Sequence, residues 1–344
     1  MHIWDPHLPY RVPLEYGEPF ADVPLPDPWM TQELLDWQRA NKPGTHSPWE
    51  VTGYDDEPNP LTPRQPVKIE NLDDFRKMID GYDTGIWYAD KHVGMLMDEL
   101  KRQGIYEETA VIISSDHGED LGELASYCEH GEADAIVTHI PLIVKWPGCT
   151  PGAVSNGLHY NVDLLPTLME LVKDQMKPLP YHRVVGKLNP VKYDGESFAD
   201  SLLTGADGGR EFLVVSQNAH VCQRGVRFGD YIYIRTYHDG YHLTDEEELF
   251  NIKEDPHEQH DLAHEMPELC WKGAWYLEHW VADNMRSNIK NSNADPMWNV
   301  MHEGGPFHCR GYLKTYCERL EKTGRGDLAK KLREKYPDEL EESY

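Results

Sequence analysis

The longest regular pattern in the chain is an alternation of three- and four-residue spacings between apolar positions over residues 72–100. This spacing places the apolar side chains on one face of a helix. Asn71 is a suitable N-cap residue for that helix, and Gly104 is a suitable stop. The pattern therefore predicts one amphipathic helix between these two residues. Gly81 and Gly85 favour a bend in its middle, because each costs about 1 kcal/mol of helix stability relative to alanine.

Two short apolar runs follow the predicted helix, at 109–115 and 140–146. Both are rich in β-branched and aliphatic residues, which predicts strands buried on both faces. A further helix is predicted over 163–172, with Pro166 in its first turn, where proline is tolerated. The order helix, strand, loop, strand, helix is typical of an α/β domain, for which we expect a mostly parallel sheet flanked by helices.

The pattern changes on either side of this α/β region. Residues 1–66 are rich in proline and tryptophan and show no sustained period, which predicts a long irregular segment over a domain surface. A helix is predicted near 266–285, and the charged segment from Gly311 is predicted to form a solvated amphipathic helix. Short runs separated by Gly-Asp and Asp-Gly turns predict the strands of an antiparallel sheet, at 212–216, 221–228, 231–237 and 248–252.

These elements predict three parts of the chain. We expect an α/β domain over 1–190, a smaller subdomain of antiparallel sheet plus helix over 191–290, and a charged, helical tail over 291–344.

Charge and composition narrow the possible partners and locations. The 344 residues include 33 Lys and Arg against 60 Asp and Glu, a formal net charge of −27 at pH 7. Such a negative field repels nucleic acids and anionic lipid surfaces, so we expect neither as a partner. No apolar run approaches the roughly 20 residues needed to cross a bilayer, and no secretory signal is evident, so the chain as written is expected in the cytoplasm. The six cysteines stand singly, which predicts reduced thiols.

Three short polar segments carry side chains capable of chemistry. Asp116 and His117 follow directly on the first predicted strand, and sites in open α/β sheets lie at the carboxyl ends of strands. Their residue types leave a metal site and a simple polar strand end equally open; Ca²⁺ prefers oxygen ligands, whereas an Asp with an imidazole also suits Zn²⁺ or Mn²⁺. His130, beside a glycine in a polar loop, could bind an oxyanion, and His7, flanked by prolines, could act as a general acid. An ordinary surface histidine stays open for His130, and the signal for His7 is weak on its own.

Several motifs occur in a fixed order over most of residues 1–265. They are H-x-P-Y, S-D-H-G-E-x-L-G-E, E-H-G, I-P-L-I-V-K-W-P-G, V-D-L-L-P-T-L, D-G-E-S-F, R-G-V-R and E-L-F-N-I-K-E-D-P-H-E. In this order they resemble the sulfatase family of the alkaline phosphatase superfamily. The resemblance implies an alkaline phosphatase-like α/β fold and the hydrolysis of sulfuric esters of small molecules or saccharides.

The resemblance implies roles for four residues. Asp116 and His117 match the second half of the family's divalent-metal site, which is expected to hold Ca²⁺, with Mn²⁺, Mg²⁺ or Zn²⁺ as alternatives. His7 matches the histidine that contacts the sulfate and helps to protonate the leaving oxygen. His130 lies where many family members have a sulfate-binding lysine; a histidine there keeps a possible cation but titrates near neutral pH.

The chain departs from the family pattern at the nucleophile. Family members carry an early Asp pair that binds metal, followed by a C-x-P-S-R or S-x-P-S-R motif that supplies formylglycine, and this combination does not occur in this sequence. Cys149 begins the only C-x-P, which lacks the arginine, so a turn is predicted there. The chain thus resembles the last two-thirds of a sulfatase. We expect no nucleophile, negligible turnover by this chain, and an apolar sheet edge available for association.

Two other functions stay open from the sequence. A phosphodiesterase or phosphonate monoester hydrolase of the same superfamily would use a similar site on phosphorus, whereas a non-catalytic module would bind sulfate or metal without turnover. The alcohol half of the substrate is not encoded in a readable pattern, since specificity resides in loops. Export of a longer form also stays open, because many sulfatases are exported.

Overall fold

The computed structural model describes residues 1–25, 27–46, 59–173, 193–287 and 295–340 of the chain. The chain divides into two compact units. The first unit comprises Met1–Glu99, His117–His139 and Val214–Tyr344, and the second comprises Leu100–Asp116 and Ile140–Leu213. The predicted domain boundaries at 190 and 290 lie outside the described residues, so that division stays a prediction.

Helices and short strands are mixed in the first half of the described chain, and four strands precede four helices in the second half. The helices are α1 (Gln32–Asn41), α2 (Leu72–Arg102), α3 (Ala135–Thr138), α4 (Leu164–Val172), α5 (Ala199–Thr204), α6 (Pro267–Ser287), α7 (Pro296–His302), α8 (Leu313–Lys322) and α9 (Gly326–Lys335). The strands are β1 (Val111–Ser114), β2 (Asp120–Leu121), β3 (Tyr127–Glu129), β4 (Leu142–Lys145), β5 (Phe212–Gln217), β6 (Cys222–Phe228), β7 (Tyr231–His238) and β8 (Glu247–Asn251). Among the described ranges, no helix has both the length and the apolar character needed to span a bilayer.

The long helix predicted from the apolar spacing is confirmed as α2. Its first turn is capped by Asn71, whose side-chain oxygen accepts hydrogen bonds from the backbone N–H groups of Asp73 and Asp74 at 2.9 and 3.0 Å. These bonds satisfy amide groups that have no partner inside the helix. The helix continues unbroken past Gly81 and Gly85, where the N-terminal segment lies against it.

The antiparallel sheet predicted for the second half of the chain is confirmed. Strands β5 to β8 form one four-stranded sheet in chain order, and both β6–β7 and β7–β8 pair antiparallel. Ile232 of β7 and Phe250 of β8 are buried together with Ala135 of α3. Helix α6 packs on the sheet at Gly273, where a Cβ atom would lie 2.6 Å from Tyr233. The sheet therefore supports α3, which adjoins the candidate site.

The two strands predicted to lie in a mostly parallel sheet pair antiparallel instead. Ser114 of β1 lies opposite Leu142 of β4, and Val111 lies opposite Lys145. The chain leaves β1 and enters β4 at the same end of the pair, so the strands run in opposite directions. Leu142 and Ile143 are 42% and 62% exposed, so the expectation of strands buried on both faces was wrong for this pair. A two-stranded ladder offers few neighbours to cover its faces.

Two helical regions differ from the sequence prediction. Within the segment expected to be irregular, α1 begins after Thr31, whose hydroxyl oxygen accepts a hydrogen bond from the Leu34 N–H at 3.1 Å. At the other end, α8 and α9 pack together around Tyr316, Leu320 and Leu332, which are buried. The charged tail therefore has a buried apolar face, because its leucines recur at helical spacing on both helices.

Candidate active site

The N-terminal segment that carries His7 lies close against helix α2. Two glycines of the helix allow this approach. A Cβ atom at Gly81 would lie 2.6 Å from the ring of the buried Tyr10, and one at Gly85 would lie 2.8 Å from Pro6. Contacts this short exclude any larger side chain without movement of the segment. Glycine in α2 therefore helps to determine where His7 lies.

Replacing Gly85 with alanine is expected to lower the free energy of unfolding by about 1–3 kcal/mol, because overlap with Pro6 outweighs the gain in helix propensity. Gly94 is the matched control, since an added Cβ there meets nothing within 4 Å in the same helix. Gly94→Ala is expected to stabilise the protein by about 0.5–1 kcal/mol. Urea denaturation of both variants measures the difference, and equal stabilisation by the two would contradict the close approach.

His117 lies in the turn after β1, and the part of this turn from His117 onward is packed against α3. The Gly118 N–H donates a hydrogen bond to the Val137 carbonyl at 2.7 Å, and a Cβ atom at Gly118 would lie 2.1 Å from the carbonyl oxygen of Ile136. The D-H-G sequence therefore needs its glycine. The His117 Nδ1 lies 2.8 Å from the Gly118 carbonyl oxygen. Because a carbonyl only accepts, the neutral ring carries its proton on Nδ1 and presents Nε2 as the ligand nitrogen.

His130 follows β3, which pairs with β2. Its backbone carbonyl accepts a hydrogen bond from the Gln217 side-chain amide at 3.0 Å. The next residue, Gly131, approaches His220 so closely that a Cβ atom on the glycine would lie 2.8 Å from the histidine Cβ. The E-H-G motif is thus held against residues from the second half of the chain.

Three of the predicted site residues come together in the first unit. One ring nitrogen each of His7, His117 and His130 lies within 4.8 Å of the others, and all three side chains are half-buried. The rings of His117 and His130 are stacked with centroids 4.1 Å apart. The His7 ring is edge-on to both, at 5.7 Å from His117 and 5.1 Å from His130. We call these three residues the histidine cluster. Asp116, the fourth predicted residue, belongs to the second unit and directly precedes His117 in the chain.

The donor atoms of the histidine cluster suit a divalent metal ion. Imidazole nitrogens are ligands that Zn²⁺ and other borderline ions prefer, whereas Ca²⁺ takes oxygen ligands. The contact of the His117 Nδ1 with a carbonyl is the kind of outer-shell bond that orients metal-binding histidines. His117 therefore offers an imidazole nitrogen, which suits Zn²⁺, and the adjacent Asp116 offers carboxylate oxygens, which suit Mn²⁺ and Ca²⁺.

Comparisons with known proteins concern the part of the chain that carries His117 and His130. Residues 9–174 match the family model Sulfatase. This part of the chain belongs to the sulfatase family. The chain is 28% identical to human iduronate 2-sulfatase over 201 residues, which are 50% of this chain and 35% of that protein. It is 26% identical over 270 residues to the uncharacterized sulfatase YidJ of Escherichia coli (strain K12), covering 75% of this chain and 45% of that protein. The chain therefore spans about a third to a half of the length of these relatives.

Solved structures share the fold of this chain. A phosphonate monoester hydrolase from Silicibacter pomeroyi is similar with a TM-score of 0.56 and 21% identity, covering 82% of this chain and 54% of that one. A putative sulfatase from Bacteroides thetaiotaomicron is similar with a TM-score of 0.53 and 20% identity, covering 77% of this chain and 51% of that one. These similarities confirm the alkaline phosphatase-like fold that the resemblance implied.

Two further histidines extend the histidine cluster and lie outside the sulfatase match. The His220 ring centroid is 5.2 Å from that of His130, and the His220 ring is stacked on His308 at 4.1 Å. Burial, together with His308 and His130, lowers the pKa of His220 to about 3, so this ring is neutral at pH 7. The sequence gives neither residue a role: His308 lies in a Gly-Pro loop with other possible ligands, but no family motif includes it. His308 is far along the chain and is held beside His220 by a backbone hydrogen bond to the Ala219 carbonyl at 2.9 Å.

Proposed function

We propose that this chain carries metal-binding, sulfate-binding and leaving-group residues of a sulfate-ester hydrolase. The convergence of His7, His117 and His130 carries the proposal. The sulfatase match over residues 9–174 supports it. Relatives named iduronate 2-sulfatase and N-acetylglucosamine-6-O-sulfatase favour a sulfated saccharide as the substrate.

Each residue has a distinct role in this proposal. Asp116 and His117 hold a divalent cation, which when bound supplies positive charge against the sulfate oxygens. His130, stacked on His117, donates a hydrogen bond to a sulfate oxygen. His7 donates a proton to the alcohol oxygen as the sulfur–oxygen bond breaks, which avoids release of an alkoxide.

The reaction also needs a nucleophile to attack sulfur. The 344 residues contain no C-x-P-S-R or S-x-P-S-R motif. We therefore propose that this chain alone binds sulfate esters with negligible turnover. The exposed apolar residues of β4, Leu142 and Ile143, offer a surface through which another polypeptide could associate.

Binding and turnover measured on the same purified chain test this proposal. With Zn²⁺ or Mn²⁺ present, we expect saturable binding of a sulfated disaccharide and no hydrolysis of an aryl sulfate. His130→Ala is expected to weaken the binding at least about 10-fold, because a hydrogen bond to a charged group is lost. The exposed His264 provides the matched control, and His264→Ala is expected to change nothing.

Two results would count against the proposal in different ways. Metal-dependent hydrolysis of the aryl sulfate by the chain alone would contradict the proposal that this chain has negligible turnover. No binding of the disaccharide, or stronger binding of an aryl phosphonate tested alongside, would overturn the assignment of sulfate as the ligand.

A further inference from the structure

A second group of ionisable side chains lies in the first unit and is separate from the histidine cluster. Asp120 of β2, Glu132 in the loop after β3, and Asp134 before α3 each place a carboxylate oxygen within 4.8 Å of the others. Their exposed fractions are 0%, 1% and 0%. We call these three residues the acidic cluster.

The acidic cluster receives few hydrogen bonds. Asp134 Oδ1 accepts one from the Val137 N–H at 2.7 Å, and Glu132 Oε1 lies 3.0 Å from His242 Nδ1. Within the described part of the chain, no N–H or hydroxyl group donates a hydrogen bond to either oxygen of Asp120 or to Asp134 Oδ2, and Asp120 and Glu132 can hydrogen-bond to each other only when one of them is protonated. A fully buried carboxylate directed at two others is strongly unfavourable unless a cation or a proton compensates for the charge.

The charge of the group matches a divalent ion. Three ionised carboxylates beside one imidazolium leave two negative charges, which one divalent cation would balance. Burial lowers the pKa of His242, but Glu132 outweighs this effect and raises it overall, which favours the imidazolium. Burial raises the pKa of Asp120, and it raises that of Asp134 to about 7. Ionisation of all three carboxylates therefore requires a positive charge between them.

We propose that the acidic cluster binds a hard divalent cation, for which Mn²⁺ and Ca²⁺ are the best-matched ions. Sites built only from oxygen ligands select these ions over softer ones. Because Asp120 is in β2 and Asp134 precedes α3, a shared ion links the β2–β3 pair to α3. Glu132 follows His130 by two residues, so the ion also restrains the loop that carries His130 and gives the acidic cluster a positioning role.

Binding of Mn²⁺ to the full chain, measured by electron paramagnetic resonance, tests this proposal. His117→Ala serves as the background, so that the histidine cluster contributes little to the signal. We expect one Mn²⁺ per chain in this background and a rise in Tm of about 5 °C at saturating Mn²⁺. Adding Asp120→Asn is expected to weaken Mn²⁺ binding at least about 100-fold and to remove the rise in Tm. Adding Asp245→Asn, at an exposed position, is expected to change neither the Mn²⁺ affinity nor the rise in Tm.

Shared protons are the competing explanation for the acidic cluster. If His117→Ala binds no Mn²⁺, or if the added Asp120→Asn retains full Mn²⁺ affinity, the proposal is overturned. Circular dichroism checks that each variant folds. Should Asp120→Asn fail to fold, Glu132→Gln in the same background is expected to show the same loss, and unchanged Mn²⁺ affinity there overturns the proposal equally.

Discussion

Replacing His117 with alanine is expected to weaken Zn²⁺ binding to the full chain by at least about 100-fold. His117 is stacked on His130 and edge-on to His7, so it lies centrally in the histidine cluster. Its Nδ1 contact with the Gly118 carbonyl fixes which nitrogen faces a metal. Removing this ring takes away the nitrogen ligand that adjoins Asp116 in the chain. Isothermal titration of Zn²⁺ into wild type and variant measures the change.

Two further alanine variants make the titration specific to the proposed roles. His264→Ala removes an exposed histidine outside the histidine cluster and is expected to leave Zn²⁺ affinity unchanged. His130→Ala is expected to change Zn²⁺ affinity by less than about 10-fold while weakening sulfate binding, since His130 is assigned to the sulfate. Equal Zn²⁺ affinity in wild type and His117→Ala would contradict the metal assignment.

Replacing Asp163 with alanine is expected to lower the free energy of unfolding by about 3–5 kcal/mol. Asp163 is fully buried and accepts hydrogen bonds from two nitrogens of Arg210. It also accepts backbone hydrogen bonds from Tyr160 and Glu196, both at 2.7 Å. Alanine would leave a mostly buried guanidinium without its buried partner and two amides without an acceptor. Urea denaturation at pH 7 measures the loss.

The pH dependence of this effect has a definite sign. Burial raises the pKa of Asp163, but the hydrogen bonds from Arg210 and the backbone outweigh it and hold the pKa below its ordinary value. Such a group stabilises the folded state fully above its unfolded pKa of about 3.9, and the contribution is lost as the pH falls through the folded pKa. The difference between wild type and Asp163→Ala is therefore expected to be constant from about pH 6 to 8 and to shrink below about pH 4.

The exposed Asp194 provides the control for Asp163 in the second unit. Asp194→Ala is expected to change the free energy of unfolding by no more than about 0.5 kcal/mol, since surface substitutions rarely exceed that. A loss below about 1 kcal/mol for Asp163→Ala at pH 7 would contradict the importance of the Arg210 pair.

The motifs that could be recognised in the sequence contain positions where the backbone geometry restricts which residue type fits. The D-L-L-P-T and D-G-E-S motifs meet at Asp163, which accepts the Glu196 N–H. A Cβ atom at Gly195 would lie 2.2 Å from the Val162 carbonyl oxygen, so glycine is required there. The glycine of D-H-G is required in the same way. Local requirements of this kind leave a readable pattern. For this reason the family could be recognised from the sequence, and His7, His117 and His130 could be selected as candidates that the structure then brings together.

Other features depend on contacts between distant residues and could not be predicted. Asp120 is at the variable position of S-D-H-G-E-x-L-G-E and His308 lies outside the family motifs, and only the folded chain brings them beside Glu132 and His220. The pairing direction of β1 and β4 also escaped prediction, because an apolar run indicates a strand but not the direction of its neighbour. Helix α1 was missed because its weak pattern lies within a proline-rich segment.

Anomalous diffraction from crystals of the full chain grown with Zn²⁺ tests the central claim most directly. With data collected at the zinc absorption edge, we predict a peak at the histidine cluster, about 2.0–2.1 Å from the Nε2 of His117. Zinc bound only elsewhere on the chain, with no anomalous peak beside His117, would contradict the assignment of this cluster as the metal and sulfate-ester site.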